Sequence, residues 1–146
     1  MKTPWNPSQK ATKRVKHPTP TPLTCDTCQS NEIEILNNSK VYGREYGEWP
    51  WVYYCNSCKS YVGMHPYTNI PLGTLADRKT RSARSDVKAI FNPLWQKGFI
   101  TRNEAYSRLS KALNLPTEKC HIGMFDLTTC NEALSFLHSG LLRDYE

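Results

Sequence analysis

The amino-acid sequence predicts an α+β chain in which a small, metal-stapled β module precedes a small helical module. Three observations predict it. Cys25, Cys28, Cys55 and Cys58 form two Cys-x-x-Cys pairs with twenty-six residues between them. Strand-like alternation lies beside these pairs, at Glu32-Ile33-Glu34-Ile35-Leu36 and again over residues 49–54. From about residue 75 the pattern changes to helical spacing, with capping residues at segment starts.

Residues 1–22 hold Lys2, Lys10, Lys13, Arg14 and Lys16 with five prolines and no acidic side chain. That composition predicts a basic disordered arm, whose charge either neutralises phosphates or merely solubilises the terminus.

The next module, residues 23–62, reads as a zinc ribbon. Each short pair turns two thiolates toward one point, and two such turns brought together supply the tetrahedral S4 set that Zn²⁺ accepts. Iron also accepts four thiolates, and a single Cys-x-x-Cys serves elsewhere as a redox dithiol. Matched pairs flanking a strand favour zinc over rubredoxin-like iron or a disulfide framework. With cysteine at all four positions no place is left for water or substrate, so the metal is expected to be structural. Pro50 puts the second strand at an edge or delays its start to Trp51. Alternation then places Trp51 and Tyr53 on one face and Tyr54 on the other; Trp51 and Tyr53 either pack over the metal turns and against the second module or, beside Lys40, Arg44 and Lys59, form part of a base-stacking surface, with packing favoured. Tyr42, Arg44 and Tyr46 lie on a glycine-punctuated loop and are the better candidates for stacking bases and contacting phosphates.

Residues 63–74 read as an ordered connector and residues 75–146 as the helical module. A helix over 75–91 carries Leu75, Ala83, Val87, Ile90 and Phe91 as an apolar stripe, and also Arg78, Arg81, Arg84 and Lys88. Arg81, Arg84 and Lys88 recur at spacings of three and four, so one face holds all three; it is either a phosphate-contacting face or a solvated one. Asn92-Pro93 reads as the cap and first residue of a separate short helix ended by Gly98. Thr101 and Glu104 form a capping-box pattern for a helix burying Ala105, Tyr106, Leu109 and Leu113. Asp126 caps a last helix to about His138, with Cys130, Ala133, Leu134, Leu137 and Leu141 inward and Gly140 near its end.

A chain of 146 residues, 38% hydrophobic and 22% charged, has the mix of a soluble globular protein. The absence of a long apolar run argues against a membrane span, and the absence of a secretory leader at the start argues for a cytoplasmic setting, where Cys120 and Cys130 would be free thiols. A net charge of +6 points to an anionic partner, DNA or RNA first and an acidic protein surface second. Catalysis has little support. No glycine-rich nucleotide loop occurs. His65, His121 and Asp126 are weak candidates for a second metal site that would activate water for phosphodiester cleavage, but their spacing matches no metal motif.

Several separate strings resemble a family of zinc-finger-containing proteins found in bacteriophages and bacterial genomes. They are Cys25-Asp26-Thr27-Cys28, Val41-Tyr42-Gly43 with Tyr46-Gly47, Cys55-Asn56-Ser57-Cys58, Tyr61-Val62-Gly63-Met64-His65, Pro71-Leu72-Gly73-Thr74-Leu75-Ala76, Phe91-Asn92-Pro93-Leu94-Trp95, Glu104-Ala105-Tyr106 and Cys120-His121-Ile122-Gly123-Met124-Phe125. The resemblance spans about residues 25–137 and implies a zinc ribbon followed by helices in a phage or prophage setting, but no mechanism. Lys88 departs from it, standing where relatives tend to have histidine, which argues against a shared histidine ligand or base there. The leading expectation is a noncatalytic, zinc-dependent protein that binds DNA or RNA in the bacterial host cytoplasm. A phage protein that inhibits or redirects a host protein is the second reading, and a small metal-dependent nuclease the third.

Overall fold

The computed structural model describes residues 2–140. Alternating apolar residues form β1 (Ile33–Asn37), and the aromatic run forms β2 (Trp51–Cys55), antiparallel to β1 with Ile33 opposite Cys55 and Asn37 opposite Trp51. Strand β3 (Tyr61–Gly63) adds to the other side of β2, giving the order β1-β2-β3. Pro50 lies just before β2, and the Trp51 N–H bonds Trp49 O across it at 2.9 Å, so the missing proline N–H leaves no gap in the central strand. Pairing register puts Ile33, Ile35, Trp51, Tyr53, Cys55 and Val62 on one face, where Met64, Leu75 and Cys25 complete a small core. On the other face Val52 and Tyr61 are buried. So few apolar side chains supply little stability alone, which is why a metal staple matters in this unit.

The connector after β3 doubles back, with Met64 bridged to Pro71, the His65 N–H bonded to Ile70 O at 2.9 Å and the Leu72 N–H to Gly63 O at 2.9 Å. Residues 75 and 76 stay with the sheet. The Leu75 N–H donates to Asp26 Oδ2 at 3.0 Å, and Ala76 exchanges backbone bonds with Tyr61. The helix expected from residue 75 therefore begins at Arg78, and the chain divides there into a first unit ending at Asp77 and a second beginning at Arg78.

Within the basic arm expected to be disordered, residues 3–14 take up local structure. Thr3 and Asn6 bridge each other around a buried Pro4, and Ser8 caps a short helix, α1 (Gln9–Arg14), through its Oγ and the Ala11 N–H at 3.1 Å. The Ser8 N–H donates to Tyr67 O at 2.8 Å, and the Trp5 ring meets Trp51 edge-on at 5.3 Å. One aromatic contact, a backbone bond to Tyr67 O and a cap offset an ordering cost that composition alone suggested would go unmet.

In the second unit, α3 (Arg78–Gln96), α4 (Arg102–Leu113) and α5 (Leu127–Ser139) surround one core. Val87, Phe91 and Leu94 meet Ala105, Leu109, Leu113, Cys130, Ala133 and Leu137, while Cys120, Ile122 and Phe125 fill in from the segment between α4 and α5. Helix α3 runs through Pro93, so Asn92-Pro93 does not start a separate helix; the ring is only half-buried, and a continuous apolar stripe through Phe91 and Leu94 outweighs one lost backbone bond. The expected ends are present. Thr101 Oγ1 accepts from the Glu104 N–H at 3.0 Å, Asp126 Oδ1 accepts from the Thr129 N–H at 2.7 Å, and Gly140 closes α5 with φ 78°. Leu141, expected to face inward, lies outside the described residues. Among the described residues no helix is long and apolar enough to cross a membrane.

Candidate metal centre

The two Cys-x-x-Cys pairs fold into matching turns. In each, the residue after the second cysteine takes a left-handed backbone, Gln29 at φ 65° and Lys59 at φ 70°, and its N–H returns to the first cysteine's carbonyl at 2.9 Å. The first cysteine then donates its own N–H to the serine five residues on, Cys25 to Ser30 O at 2.8 Å and Cys55 to Ser60 O at 2.9 Å. Antiparallel pairing of Ile33 with Cys55 anchors the second turn beside the strand that leads away from the first.

All four Sγ atoms lie within 4.8 Å of one another, and the Cys25–Cys58 and Cys28–Cys55 pairs are each 3.6 Å apart. A zinc ion with Zn–S bonds of about 2.3 Å needs tetrahedral edges of about 3.8 Å, so this donor set fits it. Cys25 and Cys55 are buried, Cys58 half-buried and Cys28 exposed. The ion would sit at the edge of the first core with every coordination position taken by sulfur, a site that supplies folding energy and no open position for substrate.

Metal-free, the thiols are unevenly poised. The Ser30 backbone N–H favours a Cys28 thiolate, but desolvation and the Cys58, Cys55 and Cys25 thiols outweigh it and push the group up to about 12. Cys58, against its own desolvation, is brought down to about 7 by the Ser60 hydroxyl and N–H and by the Cys28 and Cys25 thiols; Ser60 Oγ lies 3.2 Å from its sulfur. Zinc binding must therefore displace protons.

Beyond this cluster the site residues expected from sequence separate. Tyr42, expected on the loop, is the last residue of the short helix α2 (Ser39–Tyr42), and Arg44 and Tyr46 follow it on the loop; all three are exposed. Tyr42 packs edge-on against Tyr46 at 5.3 Å and against Tyr61 at 5.8 Å, and the Arg44 guanidinium lies 4.1 Å from the Tyr46 ring centroid. Tyr53 is buried as expected, its hydroxyl donating to Asn69 O, and Trp51 packs on the same core.

On α3, Arg78 and Lys88 are exposed and Arg81 is half-buried. Arg84 is not on an open face. It is 8% exposed, and its Nε donates to Phe125 O at 2.8 Å, tying the Cys120–Phe125 segment to α3. Its place in a phosphate-contacting stripe is corrected: residue spacing put it with Arg81 and Lys88, but Ala83 and Val87 beside it turn that strip of helix inward.

Among the described residues, His65, His121 and Asp126 belong to no group of three potential metal ligands. Asp126 is committed to capping α5, and the Thr129 N–H and hydroxyl hold its carboxyl below the usual value. His65 is half-buried in the first unit and His121 exposed in the second, and among the described residues the four cysteines form the one group of three or more potential metal ligands. Burial pushes the Cys120 thiol up to about 11, which leaves it a protonated core side chain at neutral pH.

Asn38 escaped sequence reasoning beyond its turn character. It is buried, its Nδ2 donates to Tyr46 O at 3.0 Å and its Oδ1 accepts from the Tyr46 N–H at 3.0 Å, so one side-chain amide holds the aromatic loop as a strand partner would. No local pattern signals this.

A four-sulfur centre on two matched turns beside a three-stranded antiparallel sheet defines a zinc-finger protein with a structural metal site. Residues 21–139 match the zinc-finger-containing domain family, and the chain belongs to it. No curated protein and no solved structure matches the chain.

Proposed function

We propose that the protein binds nucleic acid without catalysis, through the Tyr42, Arg44 and Tyr46 loop that zinc and the sheet hold in place. The observation that carries this reading is the loop itself: two exposed tyrosine rings with an arginine stacked on one of them, fixed to a rigid strand pair by Asn38. Rings of this kind offer stacking platforms, and Arg44 and nearby exposed Lys40 supply charge to a backbone. A formal net charge of +6 supports an anionic partner. Arg78 and Lys88, exposed on α3, add phosphate contacts, with Arg81 at their margin.

The test is a salt-series binding assay of zinc-loaded protein with short DNA and RNA, beside Tyr46→Ala and Arg44→Ala. Binding that weakens linearly in log–log salt plots, and is reduced by both substitutions, supports the reading. If neither DNA nor RNA binds at low salt, the loop serves a protein partner instead, a host protein in the phage setting that the family resemblance implies.

A further inference from the structure

We infer that the N-terminal segment and the Trp51 end of the sheet form a second stacking surface, and that its ligand is single-stranded nucleic acid. This rests on the nucleic-acid reading above and narrows it to unpaired strands.

The surface presents two exposed rings, Trp5 and Tyr67, each backed by a ring that packs on the first core, Trp51 and Trp49. Trp5, at the tip of the Thr3–Asn6 turn, stands edge-on to Trp51 at 5.3 Å yet remains 65% exposed. Trp49 packs against Tyr67 at 5.2 Å, with its Nε1 donating to Thr68 O at 2.9 Å, and Tyr67 remains 42% exposed. The Ser8 N–H bond to Tyr67 O joins the two pairs through the chain. Pro4 is fully buried, so the turn that presents Trp5 is seated rather than trailing.

Charge sits beside the rings. Helix α1 follows directly from Ser8, buries none of its residues, and exposes Lys10, Lys13 and Arg14. No acidic residue occurs in residues 1–22. Two carboxylates do lie at this end of the sheet, and both have partners: Glu45 accepts from Asn37 Nδ2 at 2.7 Å, and Glu48 accepts from the Tyr67 hydroxyl at 3.4 Å. Cations on α1 beside open aromatic rings match a phosphate backbone with its bases turned inward to stack.

The choice of strand state follows from the rings. A base offers its π-face to a protein ring only where it is unstacked, which a closed duplex prevents. The helices of this unit, α1 with 6 residues and α2 with 4, are short for insertion into a major groove, and the exposed rings Trp5 and Tyr67 suit stacking on bases.

The experiment uses the full zinc-loaded chain, an unstructured oligothymidine and a hairpin duplex of equal phosphate number, with tryptophan fluorescence and competition as readouts. Trp5→Ala removes an exposed ring and leaves the core intact; Lys10→Gln/Lys13→Gln/Arg14→Gln tests the helix charge without touching a buried residue. The expected results are tryptophan quenching by the single strand, at least about tenfold preference for it over the duplex, and a loss of about tenfold in single-strand affinity in Trp5→Ala. The triple variant is expected to flatten the salt dependence of single-strand binding. Equal affinity for hairpin and single strand, or an unchanged Trp5→Ala, would overturn the inference and leave nucleic-acid binding standing. Failure of both ligands to bind overturns the inference together with the reading beneath it.

Discussion

Replacing Asn38 with alanine tests whether the aromatic loop is held by one side chain. The substitution keeps the backbone bonds from Asn38 O to the Val41 and Tyr42 N–H groups, both 3.0 Å, and removes the two side-chain bonds to Tyr46. Each lost bond is worth about 1 kcal/mol net, so detaching the loop should become easier by about 2 kcal/mol, or roughly 30-fold in its opening equilibrium. Amide hydrogen exchange read at Tyr46 in zinc-loaded protein measures that equilibrium directly. Exchange at Tyr46 should rise by about that factor while Val52 and Tyr53 amides in the central strand stay protected. Asn38→Asp keeps an acceptor for the Tyr46 N–H but sets a carboxylate oxygen against Tyr46 O at a buried position, so it should not restore wild-type protection. Unchanged exchange at Tyr46 in Asn38→Ala would refute the idea that this amide organises the loop, whatever happens to ligand binding.

Removing zinc with a chelator should unfold the first unit, shown by loss of the Trp5, Trp49 and Trp51 near-UV signal, while the helical far-UV signal of α3 to α5 persists because that core contains no metal ligand; concerted loss of both signals would contradict it. Because Cys28 is held at about 12 and Cys58 at about 7, zinc competes with protons, and its apparent affinity should fall as pH drops from 8 to 6 with net proton release on binding; a pH-independent affinity measured by competition with a zinc indicator would exclude thiol ligation as described. Asp126 has a lowered folded pKa, so the stability it contributes is present above the unfolded carboxyl value of about 3.9 and is lost as pH falls through the folded value. Asp126→Ala should cost about 1 kcal/mol in denaturant unfolding at pH 7, and Asp126→Asn little, with the wild-type advantage over alanine shrinking below about pH 4. Arg84→Met should destabilise the second unit by about 1–3 kcal/mol by leaving Phe125 O without its charged donor. It should leave the salt slope of single-strand binding unchanged, whereas Lys88→Ala lowers that slope by about 0.7; the opposite pattern would return Arg84 to the binding face.

What the sequence made legible is what short-range chemistry determines. The cysteine pairs specify their own geometry, since a thiolate turn is closed by backbone bonds within six residues, from Cys25 to Ser30 and from Cys55 to Ser60. Thr101, Asp126 and Gly140 are likewise local devices, each satisfied within its own first or last turn. The loop rings were legible as exposed because glycines flank them, Gly43 and Gly47 both at positive φ.

Long-range partners decided the rest. Leu75 and Ala76 fit a helical pattern, yet their N–H groups meet Asp26 and Tyr61, forty-nine and fifteen residues away in sequence, and those bonds bind them to the sheet. Arg84 has the spacing of a surface charge, but a carbonyl forty-one residues later meets its guanidinium inside the unit. The arm shows the same effect most fully. Pro4-Trp5-Asn6-Pro7 carries its own turn signal, but a single turn cannot order twenty residues. Trp51 and Tyr67 complete the holding, and neither lies near the arm in sequence. A segment whose composition reads as disordered is thus held at the buried Pro4 and by the Ser8 bond to Tyr67 O, with the Trp5–Trp51 contact added to them, and its cations Lys10, Lys13 and Arg14 still face solvent.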